Sequence, residues 1–182
     1  MDEKEPAAGC PAGDMGEFKN IVDGYGAPAM AMAMNILRNR DDAEDACQDA
    51  FIQVYRNLEN FDRTKSFKTW FYTILYRRCL DYLRRRSRSL ELLKKAGREA
   101  VLHQRAAANP APPAQSLPSD LLERLNARER TALCLWANED YTAAEISEVL
   151  RCSAATARVY LFQARKKVKK LLEQRHVSLQ NG

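Results

Sequence analysis

Apolar residues recur at helical spacing along much of the chain, and the clearest series begins near Asp41. This spacing of three and four residues predicts an amphipathic helix whose apolar stripe faces a core. We expect Asp41 to cap the helix and the acids behind it to lie in the first turn, where the helix dipole stabilises carboxylates. The stripe consists of Ala43, Ala46, Cys47, Ala50, Phe51, Val54 and Leu58.

A second face of the same helix is not explained by capping or by the core. Gln48, Asp49, Ile52 and Gln53 lie away from the stripe and combine acidic and amide groups with an exposed isoleucine. Such a face predicts contact with a protein partner.

The stretch from residue 65 to residue 86 is rich in both aromatic and basic side chains. On a helix of about 100° per residue it has two apolar arcs, roughly opposite each other. A helix of this kind is either buried on nearly all sides or presents aromatic rings to a partner. One arc contains Phe67, Trp70, Phe71, Ile74 and Leu75, and the other contains Tyr72, Tyr76, Cys79, Leu80 and Leu83.

Burial in a core is the simpler interpretation for Trp70, Phe71 and Ile74. For another set, nucleic-acid binding is the better hypothesis, because single strands are held by ring stacking and by cations that neutralise phosphate. That set is Lys65, Lys68, Tyr72, Tyr76 and Arg77.

The second half of the chain has two capping-box patterns. Asn126 is followed three residues later by Glu129, and Thr142 by Glu145. Ser153 can cap a third helix after a short turn. Three such helices between about 119 and 175, with a tight turn before the last, predict a helix-turn-helix.

The last of these helices divides into an inward and an outward face. The inward stripe contains Ala157, Leu161, Ala164, Val168 and Leu171. The outward residues are suited to reading base edges in the major groove, while the lysines Lys166, Lys167, Lys169 and Lys170 would neutralise phosphate. The outward residues are Ala155, Arg158, Val159, Phe162, Gln163 and Lys166. The alternative is a small helical bundle with a solvated basic helix.

No strand-like alternation is found, so we expect an all-α protein of two small helical domains joined by a proline-rich linker. Four of the chain's seven prolines fall between residues 106 and 120. The predicted organisation is a disordered tail at 1–16, a first domain at 17–86, the linker at 87–119, a second domain at 120–175 and a tail at 176–182.

Charge is segregated along the 182 residues. Residues 1–60 carry 5 Lys/Arg against 12 Asp/Glu, and residues 61–105 carry 13 against 4. Residues 106–150 carry 3 against 7, and residues 151–182 carry 8 against 1. This repeated acidic-then-basic order suggests two modules, each with one side that seeks anions and one that does not.

The remaining composition argues against other classes of protein. The five cysteines are scattered and never in CxxC spacing, so buried thiols are favoured over disulfides or zinc, and neither metal nor cofactor is expected. His103 and His176 have no catalytic companions, so we expect no enzyme activity. No apolar run reaches the length of a membrane span and no signal peptide is recognised, which predicts a cytoplasmic protein without membrane insertion.

The residues DDAEDACQDAFIQVYRNLENFDRTKSFKTWFYTILYRRCLDYLRRR at 41–86 resemble region 2 of bacterial sigma factors of the extracytoplasmic-function (ECF) group. The resemblance implies that Asp45, Gln48, Asp49 and Ile52 bind the clamp helices of the RNA polymerase β′ subunit. It also implies capture of the melted −10 promoter strand by Asn60, Phe61, Asp62, Lys65, Ser66, Phe67 and Trp70. Arg78 departs from the family, which usually has asparagine there.

The residues YTAAEISEVLRCSAATARVYLFQARKKVKKLL at 141–172 are similar to sigma region 4, which reads the −35 element. Thr156, Arg158, Leu161, Ala164 and Arg165 fit the family motif, and the resemblance implies that Thr156 contacts the −35 DNA together with the outward residues. Val159, Tyr160 and Gln163 replace the usual serine, arginine and arginine, so we expect an unusual −35 sequence.

The resemblance implies a promoter-specificity subunit that binds core RNA polymerase through the β′ clamp helices and the β flap, and that binds promoter DNA. It also implies an anti-sigma factor as a partner. The alternative is a stand-alone helix-turn-helix regulator, which predicts a homodimer and a palindromic site.

Overall fold

The computed structural model describes residues 15–95 and 119–180, and the chain divides into two compact units, Met1–Ala114 and Gln115–Gly182. The described residues contain helices and turns but no strand, which confirms the all-α prediction. Most of the predicted linker (96–118) lies outside the described residues, as do the tail up to residue 14, Cys10 and His103. No helix in the two described stretches is long and apolar enough to cross a membrane.

Unit 1 is a bundle of three helices: α1 (Met15–Leu37), α2 (Arg40–Asn57) and α3 (Phe67–Lys95). Each helix packs against the other two. The predicted stripe of α2 is buried, except that Phe51 is half-buried. The apolar end of α1 is buried without interruption from Ala31 to Leu37, so this segment supplies much of the core.

The corner between α1 and α2 corrects the predicted N-cap. Arg38 has a φ of 56°, and this left-handed residue ends α1. Asn39 then adopts an extended backbone, and its side chain accepts a hydrogen bond from Asp42 N at 2.8 Å. Asn39 is therefore the cap, and the prediction of Asp41 was wrong because the turn places Asp41 inside the first helical turn.

The two apolar arcs of α3 are both largely buried because α1 covers what α2 leaves exposed. Tyr25 of α1 packs its ring against Phe67, Phe71 and Tyr72, with centroid distances of 5.5, 5.0 and 6.3 Å. The helix continues past residue 87, where the linker was predicted to begin. Beyond residue 87 the helix consists mostly of Arg, Leu, Glu and Lys, which favour helix. The first glycine after residue 87 is Gly97.

Unit 2 contains α4 (Ser119–Arg124), α5 (Ala127–Glu139), α6 (Ala143–Leu150) and α7 (Ala154–Gln180). One core cluster joins α4, α5 and α7 through Leu121, Leu133, Ala164 and Leu171, with Leu125 between the first two helices. Helix α7 passes through residue 176, where the C-terminal tail, with His176, was predicted. The short α4 was not predicted as a separate helix.

Both predicted capping boxes are confirmed. Asn126 and Glu129 satisfy each other's backbone N–H groups at the start of α5, and Thr142 and Glu145 do so at the start of α6. Arg151, with a φ of 50°, makes the tight turn between α6 and α7. These local signals fix the directions of the helices that form the helix-turn-helix.

Candidate nucleic-acid interface

The outer face of α2 combines carboxylates with exposed apolar groups. Asp45 and Gln48 are exposed, Asp49 is half-buried, and Ile52 is 41% exposed. Tyr55, three residues beyond Ile52, is 47% exposed, and its ring packs edge-on against Phe18 of α1 with 5.0 Å between centroids. Tyr55 was not predicted on this face, although its spacing of three residues from Ile52 indicates it.

Two side chains of α3 reach across to this face. Arg78 Nε donates to Gln53 Oε1 at 3.0 Å, and Arg78 Nη2 donates to the same oxygen. The Tyr82 hydroxyl donates to Asp49 Oδ2 at 3.3 Å. Burial, together with the nearby Asp49 charge, raises the pKa of Tyr82 and keeps it a donor. Gln53 and Asp49 are thus tied to α3.

The connection from residue 58 to residue 66 is organised by Asp62. The carboxylate accepts from the hydroxyl of Thr64 at 2.7 Å and from its backbone N–H at 3.1 Å. These bonds, with the hydroxyl contributing most, hold the pKa of Asp62 below its ordinary value. Ser66 Oγ accepts from Thr69 N at 3.3 Å, so Ser66 caps α3. The exposed polar residues of the connection include Asn60, Asp62, Thr64, Lys65 and Ser66.

An aromatic group lies where this connection meets α3. The half-buried rings of Phe61 and Trp70 are 4.7 Å apart between centroids, and Phe61 meets Phe67 edge-on at 5.6 Å. Phe67 itself is only 1% exposed. Phe61 and Trp70 therefore form an accessible aromatic surface supported from beneath by Phe67.

Two tyrosines predicted to face nucleic acid are in the core instead. Tyr72 is 1% exposed and Tyr76 is 3% exposed. The prediction that they lie at the surface was wrong, because α1 covers the second arc of α3. Phe67 is equally inaccessible, so it does not offer its ring to DNA as predicted. It instead supports the rings of Phe61 and Trp70.

A buried carboxylate supports the same connection from α1. Glu17 is 2% exposed, and Arg63 Nη2 lies 3.7 Å from its Oε1. No local pattern predicts this pair, because the two partners are in different elements. Its position joins the first turn of α1 to the segment that carries Phe61 and Asp62.

The cations of α3 fall into two groups. Lys68 and Arg77 are half-buried, and Arg77 Nη2 is buried without a hydrogen-bond partner in the described part of the chain. Arg84, Arg85, Arg86 and Arg88 are exposed on the later turns of the helix. The exposed arginines make the later turns of α3 strongly basic.

Helix α7 begins as predicted with Ser153, whose Oγ accepts from Thr156 N at 3.1 Å. Its outward face is apolar as well as basic, since Val159 is 55% exposed and Phe162 63% exposed. The other predicted residues on this face are also exposed, apart from Thr156, which is half-buried. They are Ala155, Arg158, Gln163 and Lys166.

Lys167 differs from its neighbours. Its Nζ lies 2.8 Å from Glu129 Oε1 and 2.6 Å from Glu129 Oε2, and the Glu129 residue is 5% exposed. The predicted phosphate contact of Lys167 is therefore corrected to an internal ion pair, since the ammonium neutralises a buried carboxylate. Lys166 keeps its predicted exposed position.

Two further arginine contacts in unit 2 were not predicted. Arg128 Nη1 donates to the Tyr160 hydroxyl at 2.7 Å, and Arg165 Cζ lies 4.8 Å from the Trp136 ring centroid. Trp136 is 41% exposed beside a groove of about 640 Å³ between α5 and α7. Among the described residues, no cluster of His, Cys, Asp and Glu could hold a metal ion.

This arrangement defines a helical transcription protein, with a helix-turn-helix in one unit and a basic, aromatic bundle in the other. The family profile described as "Sigma-70 region 2" matches residues 21–89, and that described as "Sigma-70, region 4" matches residues 119–168. The chain belongs to the sigma-70 family, in its ECF group, as the motifs at 41–86 and 141–172 predicted.

Named relatives agree with this assignment. The chain is 28% identical over 170 residues to the ECF RNA polymerase sigma factor SigW of Bacillus subtilis, covering 88% of this chain and 91% of the relative. It is 28% identical over 180 residues to the RNA polymerase sigma-H factor of Pseudomonas aeruginosa, covering 88% and 89%. The fold resembles that of the sigma factor RpoE solved in complex with the anti-sigma factor NepR from Bartonella quintana. That match has a TM-score of 0.70 at 21% identity and covers 86% of this chain and 97% of the other.

Proposed function

We propose that this sigma factor directs transcription initiation through three surfaces, one for polymerase and two for promoter DNA. It would bind core RNA polymerase, recognise the −10 and −35 elements and position the enzyme for initiation. The family consists of sigma factors, which are not enzymes, and we place this member's action in the cytoplasm, where polymerase meets the chromosome.

The polymerase surface is the outer face of α2. Asp45, Gln48 and Ile52 are accessible there, and Asp49 is half-buried. Ile52 is 41% exposed close to the Asp49 carboxylate, and an apolar anchor with charged neighbours is typical of a protein interface. The proposed partner is the pair of β′ clamp helices, and the β flap would contact unit 2.

The −10 surface is the connection 58–66 with the adjoining turns of α3. Phe61 and Trp70 supply accessible rings, and Lys65 and Lys68 supply cations. Each base that stacks on an aromatic ring contributes about 1 to 3 kcal/mol, and the bases of an unpaired strand can stack in this way. We assign this surface to the melted strand, with Asn60, Asp62 and Ser66 as polar neighbours and Arg77 as a cation behind them. Tyr72 and Tyr76 would support the helix from the core.

The −35 surface is the N-terminal half of α7. Its exposed side chains can enter a major groove, because an α-helix of about 10–12 Å diameter fits a groove about 12 Å wide. Val159 and Phe162 are suited to apolar contact with thymine methyl groups, and Arg158 and Gln163 to hydrogen bonds with base edges. Lys166 would bind phosphate, as would Lys169 and Lys170.

An anti-sigma factor is the remaining proposed partner. The sigma factor RpoE, which this fold resembles, was solved with such a protein. The same exposed faces that serve polymerase would be the surfaces for an inhibitor to cover.

The observation that carries this proposal is the exposed Phe162 and Val159 on a capped helix that follows a tight turn. The test is run-off transcription with purified core polymerase on genomic fragments, with gel filtration of the mixture. Discrete transcripts that require the protein, and co-elution with core, would support it. A stable homodimer that does not bind core polymerase and directs no initiation would instead favour a stand-alone regulator.

A further inference from the structure

Glu17 is a buried carboxylate in the first turn of α1, and its ionic partner belongs to the connection 58–66. The Glu17 side chain is 1% exposed, and Arg63 Nη2 lies 3.7 Å from Glu17 Oε1. Neither oxygen of Glu17 has a hydrogen-bond partner within the described residues. The Arg63 side chain is 40% exposed, so the cation of this pair remains in contact with solvent while the anion does not.

The stability of the fold does not explain a carboxylate in this place. Moving a charged group out of water is costly, and an ion pair offsets the cost only where hydrogen bonds also satisfy the oxygens. The helix dipole favours an acid in the first turn of α1, but this benefit is smaller than the cost of burying the charge. An apolar side chain of similar volume should therefore serve the fold at least as well as Glu17 does.

The first turn of α1 is held on the bundle by a contact of its own. Phe18 packs edge-on against Tyr55 of α2, with 5.0 Å between the ring centroids. Glu17 directly precedes Phe18, so its backbone is fixed by this aromatic contact. The carboxylate is thus a fixed anion to which the Arg63 cation can be drawn.

The segment 61–63 is joined to two different helices. The Phe61 ring lies 4.7 Å from the Trp70 ring of α3 between centroids, whereas Arg63 pairs with Glu17 of α1. Between them, Asp62 accepts hydrogen bonds from Thr64, which lie within the connection itself. A short segment held from both sides has fewer orientations available than one held from α3 alone.

We infer that Glu17 is a positioning residue of the −10 surface, which through Arg63 holds the segment 61–63 so that Phe61 and Asp62 meet the melted strand in one orientation. This role rests on the proposed function of that surface. Glu17 is buried and does not itself touch the strand. The sign of its effect is distinctive, because removing an anion near phosphates should strengthen binding by electrostatics alone, whereas loss of positioning should weaken it.

The test measures the affinity of the holoenzyme for a fluorescent single strand, the non-template −10 region of the first promoter found by run-off. Glu17→Met removes the charge and keeps an unbranched side chain of similar volume. It should lower strand affinity about fivefold. It should leave the affinity for core polymerase unchanged and should not lower the free energy of unfolding in urea.

Arg63 variants test whether the pair acts as a unit. Arg63→Gln should also weaken strand binding, whereas Arg63→Lys should retain most of it, because an ammonium group can replace the guanidinium in this pair. Combining Glu17→Met with Arg63→Gln should weaken binding no more than Arg63→Gln alone. A further loss in the double variant would show that Glu17 does not act through Arg63 and would overturn the inference.

Asp23→Asn is the matched control, since Asp23 is an exposed acid on the same helix, and it should change neither strand affinity nor stability. Unchanged or stronger strand binding by Glu17→Met, a loss of stability in that variant, or an equal loss of binding in Asp23→Asn would overturn the inference. If Phe61→Ala still weakened binding, the proposed −10 surface would stand. Full strand binding by both Glu17→Met and Phe61→Ala would overturn both proposals.

Discussion

Lys167 Nζ lies 2.6 Å from Glu129 Oε2, and this pair joins the first turn of α5 to the middle of α7. Glu129 Oε2 also accepts from Asn126 N at 2.9 Å, so one carboxylate serves both a helix cap and an ion pair. Lys167 is 38% exposed at its side chain, whereas the Glu129 side chain is 6% exposed. The contact therefore stabilises the fold of unit 2 by neutralising a buried charge.

Substitutions of the adjacent residues Lys166 and Lys167 should therefore have different effects on stability and on promoter binding. Lys167→Ala should lower the free energy of unfolding by about 2 kcal/mol, because it leaves the Glu129 carboxylate unpaired. Lys166→Ala should leave stability unchanged within about 0.5 kcal/mol and lower the salt slope of promoter binding by about 1. Urea unfolding and salt titration of the two variants check this. Equal effects of both substitutions on stability would contradict the structural role of Lys167.

The core position of Tyr72 can be tested against the surface position of Phe61. Tyr72→Ala should destabilise unit 1 by about 3 to 5 kcal/mol, because it leaves a large cavity between α1 and α3. Phe61→Ala should cost about 1 kcal/mol but strongly reduce strand opening, since Phe61 is half-buried beside Trp70. Thermal unfolding and permanganate footprinting separate the two effects. If the Phe61→Ala variant opened promoter DNA as fully as the wild type does, this would contradict the proposed −10 surface.

The thiols should differ in reactivity. Cys47, Cys79 and Cys134 are buried and Cys152 is half-buried, and burial raises the pKa of Cys47 from 9.0 to about 12 and also raises that of Cys79. Iodoacetamide at pH 8 should therefore modify Cys152 before these three, as mass spectrometry of peptides can show. Rapid modification of Cys47 in the folded protein would contradict its placement between the helices.

The raised pKa of Cys47 predicts that the free energy of unfolding depends on pH. Because the folded pKa of Cys47 is raised, its contribution is fully present below pH 9.0 and is lost as the pH rises towards about 12. The Cys47→Ala variant should lose less stability than the wild type between pH 8 and pH 10.5 in urea unfolding. An identical loss in both proteins would show that Cys47 does not contribute.

Local signals predicted much of this structure. The stripe of α2 and the caps at Asn126, Thr142 and Ser153 depend on residues within one or two helical turns, so spacing and residue type were sufficient. The exposed face of α7 followed from the same periodicity.

Contacts between distant residues could not be predicted in this way. The burial of Tyr72 depends on Tyr25 of α1, and the pair of Lys167 and Glu129 spans 38 residues. For both of these, tertiary packing decided between structures that the local pattern allowed. The Asn39 cap is a local feature, but Asn39 and Asp41 are both residue types favoured at an N-cap, so the sequence did not distinguish them.

We propose that the acidic face of α2 holds this sigma factor on core RNA polymerase. The most direct measurement is the affinity of a fluorescent full-length protein for purified core, compared between Asp45→Lys/Asp49→Lys and a control. Asp23→Lys is the control, because Asp23 is an exposed acid on α1. We expect at least a tenfold loss of affinity, or about 1.4 kcal/mol, for the double variant and none for the control. Equal affinity of the double variant and the wild type would contradict it.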